Sequence, residues 1–321
     1  MNKRNIITTL AGLLAGASSY GEWTIVSTFD DAGALSAITD STNIEGSNAR
    51  SEIVNGKWAV FPGDLFEATS NLYAMLDLGT DLRAASIASG KPVTVYFEVV
   101  QPTVPDGQGG TRKAILDTVW GISNYPPSQV LETRYNSYNV MQRINAGNDS
   151  FEGRNGNAYE VVQQFGADVT YQIWLVIDFT INFYEAYIQG GQWTEQTRLG
   201  TAATEGFWGF RVNPAETDTA QYMLVALSRG NSVQGEKGID PTYFDNVAID
   251  SSGLNLTSPV GSAQSWAGFA VDGAGNVNTG GWMGFLNVSD SPWIWSYSLS
   301  SWMYIDESFV SSSGSWIYVL K

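Results

Sequence analysis

The chain has 321 residues, of which 43% are hydrophobic and 15% charged, a composition typical of a globular protein with room for one large domain and a smaller one. Its 16 Lys and Arg residues against 32 Asp and Glu give a formal net charge of -16, which argues against binding to nucleic acid or an anionic membrane. It contains neither Cys nor His, which excludes disulfides, His- or Cys-based nucleophile systems and zinc sites built on those residues. We expect no zinc, haem or nucleotide cofactor, and any bound metal would be a hard cation held by oxygen, with Ca²⁺ the first candidate.

The N-terminal residues follow the pattern of a secretory signal peptide. Lys3 and Arg4 form a short basic segment, an apolar stretch begins at Ile6, and Ala15-Gly16-Ala17 matches a small-residue cleavage site. This pattern predicts a signal peptide over residues 1–17, extending to about residue 21. No later stretch approaches the 18 or so consecutive apolar residues of a membrane-spanning helix. We therefore predict a secreted or cell-surface protein.

Residues 22–250 read as strands separated by turns. Runs rich in Val, Ile, Tyr, Phe and Trp alternate with clusters of Gly, Pro, Asn and Asp. The clearest predicted strands lie at 57–61, 93–100, 173–179, 183–188, 206–212, 222–227 and 243–250. Asn155-Gly156-Asn157 predicts a hairpin turn, and residues 81–89 are the best helix candidate. The pattern predicts an all-β fold, a two-sheet antiparallel jelly-roll sandwich.

The runs at 174–178, 182–191 and 243–247 resemble the concanavalin-like, laminin-G-like jelly-roll domains of secreted bacterial proteins. The resemblance covers roughly residues 22–250. It implies a curved sandwich that binds glycans on its concave sheet or rim loops, often with one structural Ca²⁺. It also implies that the first and last strands are neighbours, which makes Asp30 and Asp245 the expected metal ligands.

The C-terminal part of the chain differs in composition. A polar linker is predicted at 251–265, and the region 266–321 holds six of the twelve Trp with only four acidic residues and one basic residue. Runs at 292–297, 301–305 and 315–319 alternate an aromatic with a smaller residue, so the aromatics of each run fall on one face of a strand. We predict a small Trp-rich β-meander whose core is a stack of Trp and Tyr. With 281–285 before them, the runs resemble the Trp-rich C-terminal modules of Verrucomicrobia-like exported proteins, and they suggest attachment or self-association.

Several side chains suit the recognition of a sugar. Sugars present C–H faces that stack on aromatic rings, and hydroxyls that bond amides and guanidinium groups. The candidate ligand-binding residues are Tyr125, Tyr135, Tyr138, Asn139, Trp193 and Arg211. Tryptophans in apolar runs are expected in the core instead: Trp58, Trp120, Trp174 and Trp208. We predict a non-catalytic protein that binds a polysaccharide or a cell-surface glycan.

An enzymatic function is the first alternative. A laminarinase-type glycosidase would carry paired carboxylates in a Glu-x-Asp-x-x-Glu strand motif, which the sequence does not contain. A polysaccharide lyase acting on a uronate-containing glycan can use Tyr as the base of a β-elimination while Arg or Gln neutralises the uronate carboxylate. One run offers such a set: Arg134, Tyr135, Tyr138, Gln142 and Arg143. A structural cell-surface protein without a small ligand is the second alternative.

Overall fold

The computed structural model describes residues 23–42, 50–61, 72–105, 111–113, 117–125, 134–145, 150–200, 206–228, 241–259, 265–266, 269–270, 276–280, 283–288, 292–305 and 318–319. Two large antiparallel sheets dominate these residues, so the predicted all-β sandwich is confirmed. Within these ranges, no helix has the length and apolar character needed to cross a membrane. The predicted signal peptide lies outside them.

In the main part of the fold, the described residues form eighteen strands and little helix. In chain order the strands are β1 (Thr24–Ser27), β2 (Ile38–Thr42), β3 (Arg50–Val54), β4 (Lys57–Phe61), β5 (Leu72–Asp77), β6 (Val93–Val100), β7 (Thr103–Pro105), β8 (Thr111–Lys113), β9 (Asp117–Ser123), β10 (Val140–Asn145), β11 (Ser150–Asn155), β12 (Ala158–Gln164), β13 (Tyr171–Asp178), β14 (Phe183–Gly190), β15 (Trp193–Arg198), β16 (Trp208–Gly209), β17 (Tyr222–Ser228) and β18 (Thr242–Asp250). The helical segments among the described residues are α1 (Leu82–Ser89) and two 3-10 turns, Ala32–Ala37 and Arg134–Ser137.

Sheet A runs in the order β15-β14-β13-β6-β18-β4-β3, with β1 paired to β18 and β16 paired to β14. Sheet B runs β12-β11-β10-β9-β17-β5-β2, and β7 and β8 form a separate hairpin. The first and last strands of the sandwich are neighbours, because Thr24 lies opposite Ile249. The predicted strand at 206–212 is confined to Trp208–Gly209, since Phe210 turns into the core and the chain leaves the sheet.

The core lies between the two sheets and follows from the alternation of side chains along each strand. The apolar residues at 93, 95, 97 and 99 of β6 all enter it, as does every second residue of β13 from Tyr171 to Ile177. The four tryptophans expected to be buried are buried, and three of them join this cluster: Trp58, Trp120 and Trp208. The sandwich therefore rests on one continuous apolar core.

The helix α1 has the ends that its sequence predicts. The Asp81 carboxylate accepts the backbone N–H groups of Arg83 and Ala84 at the N-terminus. Gly90 ends the helix with φ +64°, a left-handed conformation that glycine adopts without strain. The same Asp81 oxygen accepts the Ala220 N–H at 3.1 Å, so the cap also fixes the helix to the chain entering β17.

The first nine residues of the predicted linker lie on the outer face of sheet A. The Trp174 indole donates to the Thr257 carbonyl oxygen at 2.9 Å, and the Thr94 hydroxyl donates to the Gly253 carbonyl oxygen at 2.9 Å. Asn255 is fully buried and donates to the Asp250 carboxylate at 2.8 Å. These contacts bury Trp174 on the face opposite to the core, and the hydrogen-bonded sandwich continues to at least Thr257.

The C-terminal region contains a five-stranded antiparallel sheet and a hairpin. The sheet consists, in order, of β21 (Asn276–Asn278), β22 (Phe285–Asn287), β23 (Trp293–Ser296), β24 (Ser301–Tyr304) and β25 (Tyr318–Val319), and the hairpin joins β19 (Ser265–Trp266) to β20 (Phe269–Ala270). The described core of this region contains Trp266 with aliphatic residues such as Ile294 and Met303. Trp293 and Trp302 are 43% and 39% exposed, on strand positions that alternate with that core.

The alternation predicted for the aromatic runs is therefore confirmed, but the predicted core of stacked Trp and Tyr was wrong. Because neighbouring residues of a strand point to opposite faces, the aliphatic residues between the aromatics fill the core and the aromatics form the other face. Trp293 and Tyr304 still contact each other there, with ring centroids 5.1 Å apart. Of the sequence runs on which the module was predicted, residues 281–282 and 315–317 lie outside the described residues.

Candidate ligand-binding site

Each sheet has an outer face, the one that points away from the other sheet. The outer face of sheet B carries a second apolar cluster. On β10, Val140 and Ile144 point into the sandwich core, while Met141 belongs to the outer cluster. The buried members of this cluster are Tyr73, Met75, Val119, Tyr138, Met141, Leu224 and Ala226, and Tyr125, Tyr159 and Tyr222 pack against them. An outer sheet face with this many aromatic rings offers a surface on which polar groups can be held in fixed positions.

Two arginines enclose one tyrosine at the β10–β12 end of this face. Arg154 on β11 lies directly opposite Tyr159 on β12, and Arg143 lies one strand further along the sheet. The guanidinium carbons of Arg143 and Arg154 are 3.7 Å and 4.3 Å from the centre of the Tyr159 ring. Cation–π contacts of this kind fix the planes of both guanidinium groups.

Glu152 holds Arg143 in place. Its carboxylate is 3% exposed and lies 2.6 Å from Arg143 Nε. The other carboxylate oxygen accepts hydrogen bonds from Asn145 at 2.9 Å and from the Ser150 hydroxyl at 3.0 Å. Because three donors saturate this buried carboxylate, Glu152 is a positioning residue for Arg143.

A third arginine reaches the same place from a distant part of the sequence. Arg211 follows β16, and its backbone N–H donates to the Asn139 carbonyl oxygen at 2.7 Å. Its guanidinium donates to the side-chain oxygen of Asn136 at 3.0 Å and to that of Asn157. We call Arg143, Arg154, Tyr159 and Arg211 the arginine patch.

The electrostatics of Arg211 reflect its surroundings. Burial lowers the pKa of the Arg211 guanidinium, and the charge of the nearby Arg154 lowers it further. Arg211 Nε is buried with no hydrogen-bond partner, and so is the side-chain oxygen of Asn139. A buried donor and a buried acceptor are thus left without hydrogen-bond partners, which is costly to the fold.

The structure brings some of the predicted site residues to this patch. Arg143 and Arg211 belong to it, and Asn139 borders it. The 3-10 turn Arg134–Ser137 carries the backbone of Arg134 and Tyr135, and nothing more of these two residues is described. Tyr125 is partly exposed and packs at the edge of the outer cluster.

Three of the predicted site residues are placed where they cannot touch a ligand in the expected way. Tyr138 is fully buried in the outer cluster. Gln142 points into the sandwich core, where its side-chain oxygen accepts the Trp120 indole N–H at 3.0 Å, because alternation puts residues 142 and 143 on opposite faces. Trp193 is 7% exposed and packs edge-on against Tyr171, with centroids 5.8 Å apart, so its ring has no face free for a sugar.

The analysis of the sequence did not identify Arg154, Tyr159 and Glu152 as site residues. The signal was the hairpin turn at 155–157, which we used only to locate two strands. In an antiparallel hairpin a turn of this length fixes the register, and here it puts Arg154 opposite Tyr159. Counting outward from a two-residue turn at 156–157 pairs Asn155 with Ala158 and Arg154 with Tyr159, whereas a turn at 155–157 would have paired Arg154 with Ala158.

The described donors at Asp245 do not fit a calcium ion, and Asp30, the other predicted ligand, stays a prediction. The Lys57 ammonium lies 2.5 Å from one Asp245 oxygen, and the other accepts the Asn246 backbone N–H at 2.9 Å. Burial raises the pKa of Asp245, although Lys57 lowers it. Among the residues that the structure describes, no three carboxylates gather into a metal-binding group. The ammonium of Lys57 thus takes the place that a cation would need at Asp245.

An open pocket on the outer face of sheet A is a second candidate site. Asp178, Glu185, Phe183 and Phe207 are among its lining residues. Glu185 is engaged by Arg198 at 3.1 Å and by the Tyr187 hydroxyl at 2.7 Å, and Asp178 accepts hydrogen bonds from Thr180. Since both carboxylates are engaged, this pocket is a weaker candidate than the arginine patch.

Comparisons with known proteins give structural similarities only. No protein-family model matches the sequence, and no curated protein resembles it in sequence. A sialidase structure aligns with 71% of this chain and 19% of its own, at 10% identity and a TM-score of 0.42. A xylan β-1,4-xylosidase from Bacillus halodurans aligns with 71% of this chain and 39% of its own, at 9% identity and a TM-score of 0.40. The catalytic domain of a glycoside hydrolase family 131 protein from Coprinopsis cinerea aligns with 76% of this chain and 89% of its own, at 11% identity and a TM-score of 0.36. The chain thus spans about a fifth of the sialidase and two fifths of the xylosidase.

Proposed function

We propose that this chain is a non-catalytic glycan-binding protein that holds its ligand at the arginine patch. The observation that carries the proposal is the convergence of three guanidinium groups and the Asn136 and Asn157 side chains on one sheet face. Guanidinium and amide groups are the donors and acceptors that sugar hydroxyls pair with, and the polar groups here are held by ring contacts and hydrogen bonds before any ligand arrives.

The proposal favours binding over glycoside hydrolysis. Hydrolysis of a glycosidic bond usually needs two carboxylates on either side of the bond. Glu152 is the carboxylate that the structure shows bonded to an arginine of the patch, and it is buried and accepts hydrogen bonds from three donors. A carboxylate in that position lacks the access that a nucleophile or a general acid needs.

The proposal also favours binding over β-elimination. The predicted lyase set needs its Tyr base and its Gln on the ligand side of the sheet. Tyr138 is fully buried and Gln142 lies on the core side, whereas the side chain of Tyr135, the other tyrosine of the set, lies outside the described residues. Tyr159 is a different tyrosine of the same face, but its hydroxyl lies 3.8 Å from Met141 Sδ, beneath the guanidinium groups. Lyase activity is therefore kept as an alternative result of the binding experiment described next.

Affinity gel electrophoresis against a panel of neutral and uronate-containing polysaccharides tests the proposal. We expect at least one polysaccharide to retard the protein, and Tyr159→Ala to abolish the retardation because the arginines lose the ring that orients them. Arg50→Gln, an exposed arginine on β3 of sheet A, is the matched control and should migrate like the parent. No retardation by any polysaccharide would overturn the proposal in favour of a structural surface role. New ultraviolet absorbance from unsaturated uronates would replace it with the lyase.

The proposal also covers the localisation of the protein and its self-association. Secretion or display at the cell surface is supported by the N-terminal sequence pattern of residues 1–21. Self-association through the C-terminal sheet is supported by its exposed aromatic face, which includes Trp293, Trp302 and Tyr318. The low charge of residues 266–321 favours a second copy of the chain as the partner, because little repulsion opposes the contact.

A further inference from the structure

We infer that the ligand of the arginine patch is an anionic glycan, one whose sugar carries a carboxylate or a sulfate group. This inference rests on the proposed function, because it names the class of glycan for the same site. It starts from the distribution of charge. The chain as a whole carries a formal charge of -16, yet three of its 16 basic residues lie together on one sheet face.

Among the residues that the structure describes, no acidic side chain is paired with the charge of Arg211. Arg143 is paired with Glu152, whereas the described partners of the Arg211 side chain are two neutral amides, those of Asn136 and Asn157. The nearest ionic influence on Arg211 is the like charge of Arg154, which together with burial makes its charged form harder to maintain. An anion placed at this end of the patch would relieve both effects.

The hydrogen-bonding capacity of Arg211 points the same way. A guanidinium has five N–H donors, and the described side-chain contacts of Arg211 use two of its nitrogens and leave Nε buried without an acceptor. A carboxylate or sulfate presents several oxygens in a small space and can serve two donors of one guanidinium at once. Sugar hydroxyls provide weaker, single acceptors.

Asn139 holds the chain segment that carries Arg211. Its side chain is fully buried, and its amide nitrogen donates to the Val212 carbonyl oxygen at 2.8 Å. Its backbone carbonyl oxygen accepts the Arg211 N–H at 2.7 Å. The Arg211 segment is therefore fixed beside the sheet before a ligand arrives, and the part of the inference that makes the anion a sugar rests on the proposed function.

The test compares polymers that differ only in charge. Polygalacturonate is paired with its methyl ester, which has the same backbone without the carboxylate charge, and dextran sulfate is paired with dextran. We expect the affinity for at least one anionic polymer to exceed that for its neutral partner by about tenfold or more, and to fall with added salt. Preference for polygalacturonate alone assigns a carboxylate, preference for dextran sulfate alone assigns a sulfate, and preference for both assigns recognition by charge.

Variants tie the preference to the patch. Arg211→Gln should remove the preference, lowering the affinity for the anionic polymer about tenfold or more. Arg50→Gln makes the same change of charge on sheet A and should keep the preference. Arg211→Lys keeps the positive charge but lacks the planar guanidinium with its several N–H donors. An intermediate affinity of this variant would show that the loss in Arg211→Gln is not caused by a failure to fold. Thermal unfolding of each variant confirms the fold.

The experiment distinguishes a failure of the inference from a failure of the proposed function. Equal binding of a neutral polymer and its anionic partner, or an unchanged preference in Arg211→Gln, would overturn the inference and leave the proposed function standing. Binding of no polymer in either pair, and of none in the wider panel, would overturn the proposed function and the inference with it.

Discussion

The buried hydroxyl of Tyr184, in sheet A, lies 2.7 Å from the backbone carbonyl oxygen of Arg154, in sheet B. It also accepts the Arg154 backbone N–H at 3.1 Å and lies 2.8 Å from the Met141 carbonyl oxygen. The Tyr184 ring packs on Trp208, which in turn covers the backbone of Gly153. One side chain of sheet A thus fixes the backbone of β10 and β11, the two strands that carry Arg143 and Arg154.

Tyr184→Phe should therefore weaken both the fold and the site. The change leaves buried backbone groups without a partner, which we expect to cost about 1–3 kcal/mol of unfolding free energy. Glycan affinity should fall as well, because Arg154 loses its fixed position. Urea denaturation followed by Trp fluorescence measures the first effect, with Tyr187→Phe, a partly exposed neighbour on β14, as control. Equal stability of the Tyr184 variant and the parent would contradict the assignment.

Trp193→Ala tests the finding that Trp193 is a core residue and not a ligand platform. Removing a buried indole leaves a cavity, so we expect a loss of about 3–5 kcal/mol in unfolding free energy, and a smaller loss for Trp193→Phe. Because Trp193 is on β15 at the edge of sheet A, the glycan affinity of the folded Trp193→Phe variant should match that of the parent. A stable variant that fails to bind glycans would restore Trp193 as a ligand residue.

Much of the fold could be predicted because its signals are local. The alternating run at 93–100, the Asp81 cap with Gly90, and the hairpin turn at 155–157 each specify their structure within a few residues. The same local patterns place Trp58 and Trp120 in the core. Strand alternation also separates Gln142 from Arg143, so the sequence could have shown that these two members of the predicted lyase set do not share a face.

The site could not be predicted in full because its contacts are not local. Arg211 meets Asn136 and Asn139 only because β16 pairs with the end of β14 and its chain then crosses to β10. Trp193 follows two glycines in sequence typical of an exposed turn, yet the β14–β15 hairpin folds its ring onto Tyr171. No pattern within a window of ten residues distinguishes such a buried turn residue from an exposed one.

Removal of divalent cations should leave the protein unchanged. The Lys57 ammonium already balances the Asp245 carboxylate, so a calcium ion would have to displace it. We expect the same Tm with EDTA and with millimolar-range CaCl₂, since a ligand that binds only the folded state raises Tm by mass action. A calcium-dependent rise in Tm that Asp245→Asn abolishes would show that the predicted site exists despite Lys57.

The stability of the protein should fall at alkaline pH. Burial and the neighbouring Glu185 carboxylate raise the pKa of Tyr187 to about 12, and burial also raises the pKa values of Tyr96, Tyr171 and Tyr184. An unfolded-state tyrosine ionises near pH 10, so above that pH the unfolded state binds fewer protons than the folded state. The stabilisation is complete below pH 10 and is lost progressively as the pH rises towards 12.

Unfolding free energies measured by urea at intervals between about pH 9 and pH 12 test this expectation. Tyr187→Phe should lose less stability over this range than the parent, because it lacks one of the shifted groups. A flat profile for the parent, or identical slopes for the two proteins, would contradict the assignment of Tyr187.

Self-association should depend on the exposed aromatic face of the C-terminal sheet. Trp293→Ser combined with Trp302→Ser removes two rings that are 43% and 39% exposed, while the aliphatic core on the opposite face keeps all its members. We expect sedimentation velocity to show concentration-dependent association of the parent and a monomer for the double variant, because burial of exposed apolar surface drives such contacts. Phe183→Ser, at an exposed aromatic on sheet A, is the matched control and should associate like the parent. A parent that sediments as a monomer at every concentration would refute this role, and an associating double variant would place the contact elsewhere on the molecule.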